Sequence, residues 1–295
     1  MSSRQGIDDR SVNFETRVIS RKWLSFHVYL SGSIDSFLSQ YLASALEQEC
    51  ALRHIHRFFF IRYSDQNLHL RLRFLPRRTG EPAVIKEWIE STVRDFAGSL
   101  STPGICRVEQ RTYDRDEHYF GETIYSVYAE LLNEQTSWLG LSLLRGYHDK
   151  RPQLTALLAA CLAFFLSRMT QDREDYIQAA ELARSFAGTV LKQLGFIGDL
   201  GRRVDQHDLD ALIPQISSRS IPFLSQDPAA MSIIRLSRRA RKAGDQGKFI
   251  VAHALHLLCN KLGFSIREEY WIFTLLRGQW RSLWSGVTTT FITQI

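Results

Sequence analysis

The hydrophobic pattern of this sequence changes its period near residue 120. Before that point, short runs rich in β-branched and aromatic residues alternate with amphipathic segments, and after it almost all apolar residues recur at helical spacing. The first part predicts strands at 23–30, 57–63, 67–75 and 105–112, and helices at 35–48 and 82–97. This order, β-α-β-β-α-β, is that of the ferredoxin-like split pattern.

The second part is predicted to be a layer of helices. The segments with helical spacing are 124–133, 136–147, 152–168, 173–194, 229–242, 248–262 and 267–284. The longest irregular stretch is 195–227, and no Pro/Gly/Ser-rich linker divides the chain. We therefore predict an α+β fold in which an antiparallel sheet packs against the helices. It forms one domain over 21–295, with a sheet-containing part (21–115) and a helical part (116–295), after a flexible N-terminus at 1–20.

Composition narrows the class of protein. The longest apolar run, Leu154 to Leu166, is shorter than the roughly twenty residues of a membrane span. The polar start of the chain lacks the apolar region of a secretion signal, so we expect a cytoplasmic protein without membrane contact. Four scattered cysteines form no CxxC pair, which argues against a zinc site. The net charge of +6 is modest, but Arg235 to Lys242 (RLSRRARK) is strongly basic. That segment is either a solvated helix face or a docking face for an acidic peptide or RNA.

The strand with the strictest alternation carries the first candidate site. His69, Arg71 and Arg73 share one face of the sheet, because successive side chains of a strand point to opposite sides. This face could bind an anion, and Arg62 on the neighbouring strand could extend it, since guanidinium matches carboxylate and phosphate geometry. The alternative is the solvated face of an antiparallel sheet. Helices covering the face would turn it into a cleft.

Two further blocks carry candidate residues. His253, His256 and Asn260 lie at spacings of three and four on one helix face, where a histidine is either a core residue or a proton carrier near neutral pH. No third ligand and no HExxH accompany them, so we predict no metal. The block from Tyr113 to Glu122 lies where the sheet ends and the helices begin, which makes it either a cleft edge or a polar turn.

Together these blocks resemble one family. RFFFIRYSDQNLHLRLRF (57–74), the Tyr-rich block after Tyr113 and HLLCNKLG (256–263) are similar to the C-terminal elimination domain of lantibiotic dehydratases, also called the thiopeptide-type bacteriocin biosynthesis domain. The resemblance runs from about residue 23 to 285. It implies a lyase that expels glutamate from glutamylated Ser or Thr of a precursor peptide and leaves dehydroalanine or dehydrobutyrine, without a cofactor.

The resemblance also implies roles for single residues. Arg71 and Arg73 would hold the glutamate and stabilise the leaving carboxylate, and His256 would be the catalytic acid/base. Arg62, His69, His118, Tyr119 and Asn260 would bind substrate. The implied partners are a precursor peptide with its leader and a separate tRNA-dependent glutamylating protein, with no direct nucleic acid contact; a homodimer is left open.

One block departs from the family pattern and keeps other functions open. The family carries Arg-Tyr-Gly-Gly where this chain has Tyr119 to Glu122 (YFGE), so a third glutamate-binding arginine is missing or replaced by His118. The alternative is a thiopeptide pyridine synthase, which joins two dehydroalanines in a formal aza-[4+2] cycloaddition and releases the leader. A third reading is a non-catalytic module that binds a leader peptide or RNA.

Overall fold

The sheet and its two covering helices are formed by the first part of the chain, as predicted. The computed structural model describes residues 23–48, 53–64, 67–78, 81–102, 104–113, 123–193, 223–242 and 245–278. Its strands are β1 (Leu24–Tyr29), β2 (Ile55–Ser64), β3 (Leu68–Pro76) and β4 (Arg107–Arg111). The predicted flexible N-terminus lies outside the described residues.

The four strands form one antiparallel sheet in the order β2-β3-β1-β4. Helix α1 follows β1 and consists of α-helical Ile34–Ser36, π-helical Phe37–Leu42 and α-helical Ala43–Glu47. Helix α2 (Pro82–Gly98) joins β3 to β4 and begins with the proline that the sequence places in its first turn. The order along the chain is the predicted β-α-β-β-α-β, while assignment to the ferredoxin-like class stays a prediction.

Six further helices lie in the second part of the described chain. They are α3 (Thr123–Tyr147), α4 (Arg151–Met169), α5 (Arg173–Gln193), α6 (Pro228–Lys242), α7 (Asp245–Lys261) and α8 (Ile266–Gly278). The prediction of two helices at 124–133 and 136–147 was wrong, because α3 runs through without a break. The Thr136 and Ser137 hydroxyls bond back to the carbonyls of Leu132 and Asn133, so these polar residues remain within the helix.

One apolar core joins the sheet to the helices. Phe58 of β2 packs against Trp138 of α3, and Phe74 of β3 packs against Trp88 of α2. Both phenylalanines are fully buried, as alternation on β2 and β3 requires for their face. Helix α4 is long and apolar enough to cross a membrane by length and composition, but 67% of its most apolar stretch is buried within the fold. A helix buried at the centre of a helical layer has the same apolar composition as a membrane-spanning helix.

Candidate active site

The face of the sheet opposite this core is rich in cationic and aromatic side chains. Strand register places Arg71 opposite His27 of β1 and Ile61 of β2, and His27 in turn opposite Glu109 of β4. Because paired residues lie on the same side of a sheet, one face is shared by all of these strands. We call it the cationic sheet face; its members are Ser25, His27, Tyr29, Phe59, Ile61, Tyr63, His69, Arg71, Arg73, Arg107, Glu109 and Arg111.

This arrangement corrects two expectations. The helices described above pack on the other face of the sheet, since the apolar side chains of β2 and β3 lie there. Arg62 does not extend the cationic sheet face either, because its register partner is Leu70 of the core face. Arg62 is nevertheless nearly buried: it forms an ion pair of 2.5 Å with Asp35 and donates from Nε to the carbonyl oxygen of Lys261. Burial lowers its pKa.

His69 positions the guanidinium of Arg71. The His69 ring is fully buried, and its Nδ1 lies 2.8 Å from the carbonyl oxygen of Asn67. A carbonyl only accepts, so Nδ1 carries the hydrogen and Nε2 is left as an acceptor. Arg71 donates from Nε to that atom over 3.4 Å, and its guanidinium lies 3.2 Å from the centroid of the Tyr63 ring. Arg71 is therefore held from two sides while remaining partly exposed.

Arg73 is more enclosed than Arg71. Its exposed fraction is 7%, and its guanidinium lies 5.0 Å from the centroid of the Tyr113 ring. Tyr113 in turn belongs to a small apolar cluster with Trp23 and Phe59. Neighbouring aromatic rings limit the positions open to this arginine, which lies on the same side of β3 as Arg71.

The pKa of His27 reflects the positive charge of this face. Partial burial and the charges of Arg71 and Arg73 lower the pKa of His27 to about 4, so its ring is neutral at physiological pH. The ring stacks on His69 with 5.0 Å between centroids. Glu109 accepts from Arg107 and Arg111 and supplies negative charge at the β4 side. The face as a whole favours an anion near Arg71 and Arg73.

The second candidate group is a histidine held by a buried carboxylate. His256 of α7 lies with Nδ1 2.7 Å from Oε2 of Glu269 on α8, and Glu269 is only 1% exposed. The carboxylate accepts, so Nδ1 carries the hydrogen and the lone pair of Nε2 can accept a proton. The His256 side chain is 22% exposed. This geometry is that of a general base with its positioning partner.

The neighbouring histidine lies in a different environment. His253 is partly buried, and this burial lowers its pKa to about 3, which keeps it neutral. Its ring packs near Phe186, which also contacts His256 at 5.0 Å between centroids. Within the described residues there is no group of three or more His, Cys, Asp or Glu side chains arranged to hold a metal ion.

Asn260 connects α7 to the sheet. Its side-chain Oδ1 accepts from the backbone N–H of Arg62, and its Nδ2 donates to the Arg62 carbonyl, each over 2.9 Å. Arg62 lies between Ile61 and Tyr63, which belong to the cationic sheet face. Asn260 follows His256 by about one helical turn. Both polar atoms of Asn260 are thus engaged in holding the histidine-bearing helix against the strand that borders Arg71.

Sequence reasoning missed several residues of this site. His27 and Tyr63 could have been found from the alternation of their strands, which places them beside Arg71. The sequence contains no signal that points to Glu269, because its contact with His256 depends on how α8 packs against α7. His118 and Tyr119, with the rest of 114–122, lie outside the described residues.

A family comparison identifies the chain. Residues 23–279 match the model of the lantibiotic biosynthesis dehydratase C-terminal family. The chain belongs to this family. The match covers the cationic sheet face, His256 and Glu269, and it confirms the resemblance seen in the sequence. A comparison with proteins of curated function gives no match.

Solved structures show which proteins share this family member's fold. The tRNA-dependent lantibiotic dehydratase MibB from Microbispora sp. 107891 aligns with a TM-score of 0.58 and 21% identity, over 87% of this chain and 28% of its own. The pyridine synthase TbtD from thiomuracin biosynthesis aligns with a TM-score of 0.60 and 16% identity, over 87% of this chain and 97% of its own. TsrL aligns with a TM-score of 0.56 and 14% identity, over 90% of this chain and 96% of its own. At these identities, the likeness is one of fold.

Proposed function

We propose that this chain eliminates glutamate from glutamylated Ser or Thr residues of a precursor peptide. It would act as a lyase in the cytoplasm, on an ester made by a separate tRNA-dependent glutamylating protein. The observation that carries the proposal is the pairing of His256 with buried Glu269 in a fold whose sheet presents Arg71 and Arg73 on one face. A base and an anion site are the two groups that this reaction requires.

The chemistry follows from these positions. His256 Nε2 removes the Cα proton of the esterified residue, and Glu269 stabilises the imidazolium that forms. The electron pair of the broken Cα–H bond forms the Cα=Cβ double bond while the Cβ–O bond breaks. Glutamate departs with both electrons of that bond as a carboxylate. Arg71 and Arg73 would hold the carboxylates of the glutamyl group, and His69 keeps Arg71 oriented.

An alternative is pyridine synthesis on the same fold. Two observations favour it: the altered block from Tyr119 to Glu122, and the alignment with nearly the whole length of TbtD. A cycloaddition expels no glutamate, so this activity would not depend on Arg71 and Arg73. A purely binding role for a leader peptide or RNA is the third candidate, and it would be indifferent to His256→Ala.

Mass spectrometry of a glutamylated precursor peptide tests the proposal. Incubation with the purified protein should release glutamic acid and leave a dehydrated peptide. Arg71→Ala and His256→Ala should abolish the release, whereas Arg94→Ala, at an exposed position of α2, should not. An unchanged glutamylated peptide, together with leader release from a dehydroalanine-containing peptide, would reject elimination in favour of cycloaddition. His256→Ala with wild-type turnover would reject the base assignment.

A further inference from the structure

Helix α6 presents a basic stripe on the surface, away from its packed side. Its buried residues are Ala229, Ala230, Ile233, Ile234, Ser237 and Ala240. Its exposed basic residues are Arg235, Arg238, Arg239 and Lys242, which we call the basic stripe. They lie three and four positions apart, so they form one continuous row about 10 Å long. None of them belongs to the candidate active site.

Contacts with α4 partly fix the middle of this stripe. Arg238 donates from Nε to the carbonyl oxygen of Arg168, the penultimate residue of α4, over 2.7 Å. The guanidinium of Arg168 lies beside Phe164 and close enough to Arg238 for burial and this like charge to lower its pKa. Bringing like charges together costs free energy, and an anion bound between them would recover it. The stripe therefore has a preorganised cationic centre.

The charge of the stripe exceeds what the helix itself needs. Cations in the last turn stabilise the negative end of a helix, which accounts for Arg239 and Lys242. Arg235 and Arg238 lie before that turn and gain little from the dipole. The described ion pair of α6 joins Arg241, which is off the stripe, to Asp175 of α5. From Pro228 to Lys242 the helix contains no acidic residue.

We propose that the basic stripe binds an acidic segment of the precursor peptide, apart from the residue being modified. The inference rests on the proposed function only in taking a peptide as substrate. Guanidinium groups match carboxylates in shape and charge. Helix α6 contains no aromatic residue on which a nucleotide base could stack, which favours peptide over RNA. Binding at a second surface raises the effective concentration of the reacting residue at the active site.

Binding of two labelled probes tests the stripe directly. Fluorescence anisotropy would compare fluorescein-labelled decaglutamate with labelled deca-uridylate. Arg235→Glu/Arg239→Glu should weaken decaglutamate binding by about tenfold or more, and added salt should weaken binding to the wild type. The control is Arg94→Glu/Lys150→Glu, at exposed positions of α2 and just before α4, which should bind like the wild type. Equal binding by the stripe variant and the control would overturn the proposal.

Deca-uridylate separates the two kinds of partner. Tighter binding of the RNA probe than of decaglutamate, lost in the same stripe variant, would assign the surface to RNA and reject a peptide. This measurement involves no turnover, so an inactive elimination site would leave its result unchanged. In the elimination assay, the stripe variant should raise KM for the full precursor and keep kcat. A short glutamylated peptide without acidic residues should react equally with both proteins.

Discussion

The substitution Glu269→Gln tests how the base is activated. Gln keeps the shape of Glu269 and can still accept from Nδ1 of His256, so the change removes the negative charge while it keeps this hydrogen bond. A hydrogen bond to a charged group contributes about 1.5–3 kcal/mol. If the transition state, with its imidazolium, loses this whole contribution, kcat should fall about 10- to 150-fold. KM should change little, because Glu269 is buried beneath His256 and does not reach substrate.

The stability of the same variant separates a positioning role from a structural one. Among the described residues, Oε1 of Glu269 is buried without a hydrogen-bond partner, and a buried carboxylate oxygen without a partner is costly. The neutral amide reduces that cost, so the melting temperature of Glu269→Gln should be unchanged or higher. A structural residue would behave in the opposite way, because its replacement would lower stability and activity together.

The neighbouring residue provides a matched control for this experiment. Glu268 is 44% exposed, pairs with Arg151 and accepts from Ser265 at the start of α8. Glu268→Gln keeps the capping geometry, so it should retain wild-type kcat with at most about 1 kcal/mol lost in stability. Single-turnover release of glutamic acid would be measured for both variants. Wild-type kcat in Glu269→Gln would refute the reasoning, as would a joint collapse of kcat and melting temperature.

Three further predictions concern single contacts. The pKa of His253 is about 3 in the folded protein and 6.5 as its ordinary value, so unfolding takes up a proton between pH 3 and pH 6.5. The free energy of unfolding should therefore fall as the pH drops below 6.5, by up to about 1.4 kcal/mol per pH unit. Melting curves should show that the stability of His253→Leu depends less steeply on pH than that of the wild type. Asn260→Ala loses two hydrogen bonds to Arg62 and should lose about 2 kcal/mol in urea unfolding, whereas an unchanged midpoint would contradict the contact. His69→Phe keeps the ring stack but removes the acceptor of Arg71, so KM for the glutamylated peptide should rise about tenfold at constant kcat; a wild-type KM would exclude the positioning role.

Local periodicity was enough to predict the elements of the sheet. All four strands and the helices between them were found within about two residues, because strand alternation and the proline of α2 are short-range signals. The side on which Arg62 lies was not found. An arginine facing the core is unexpected, and its cost is offset by Asp35 and by a carbonyl of α7 nearly 200 residues away. Contacts at that separation leave no mark on the local pattern.

The candidate site was predictable to a similar extent. Arg71 and Arg73 share a face because alternation requires it, and His256 was reached through the resemblance to a family. Glu269 was not reachable in either way. Its role comes from the packing of α8 on α7, which brings a buried carboxylate within 2.7 Å of the histidine. Such a pair is visible only after tertiary structure is known.

The two hydrogen bonds between Asn260 and Arg62 also affect how the sheet can pair with other chains. Strand β2 lies at one end of the sheet order, and an edge strand with open N–H and C=O groups is a template for pairing with another strand. Asn260 occupies both backbone groups of Arg62 with an amide of the same geometry as a peptide group. An extended peptide therefore finds no continuous ladder along β2. The hydroxyl of Ser137 on α3 accepts from the N–H of Phe60 on the same strand, so side chains from two helices protect this edge against self-association and strand addition.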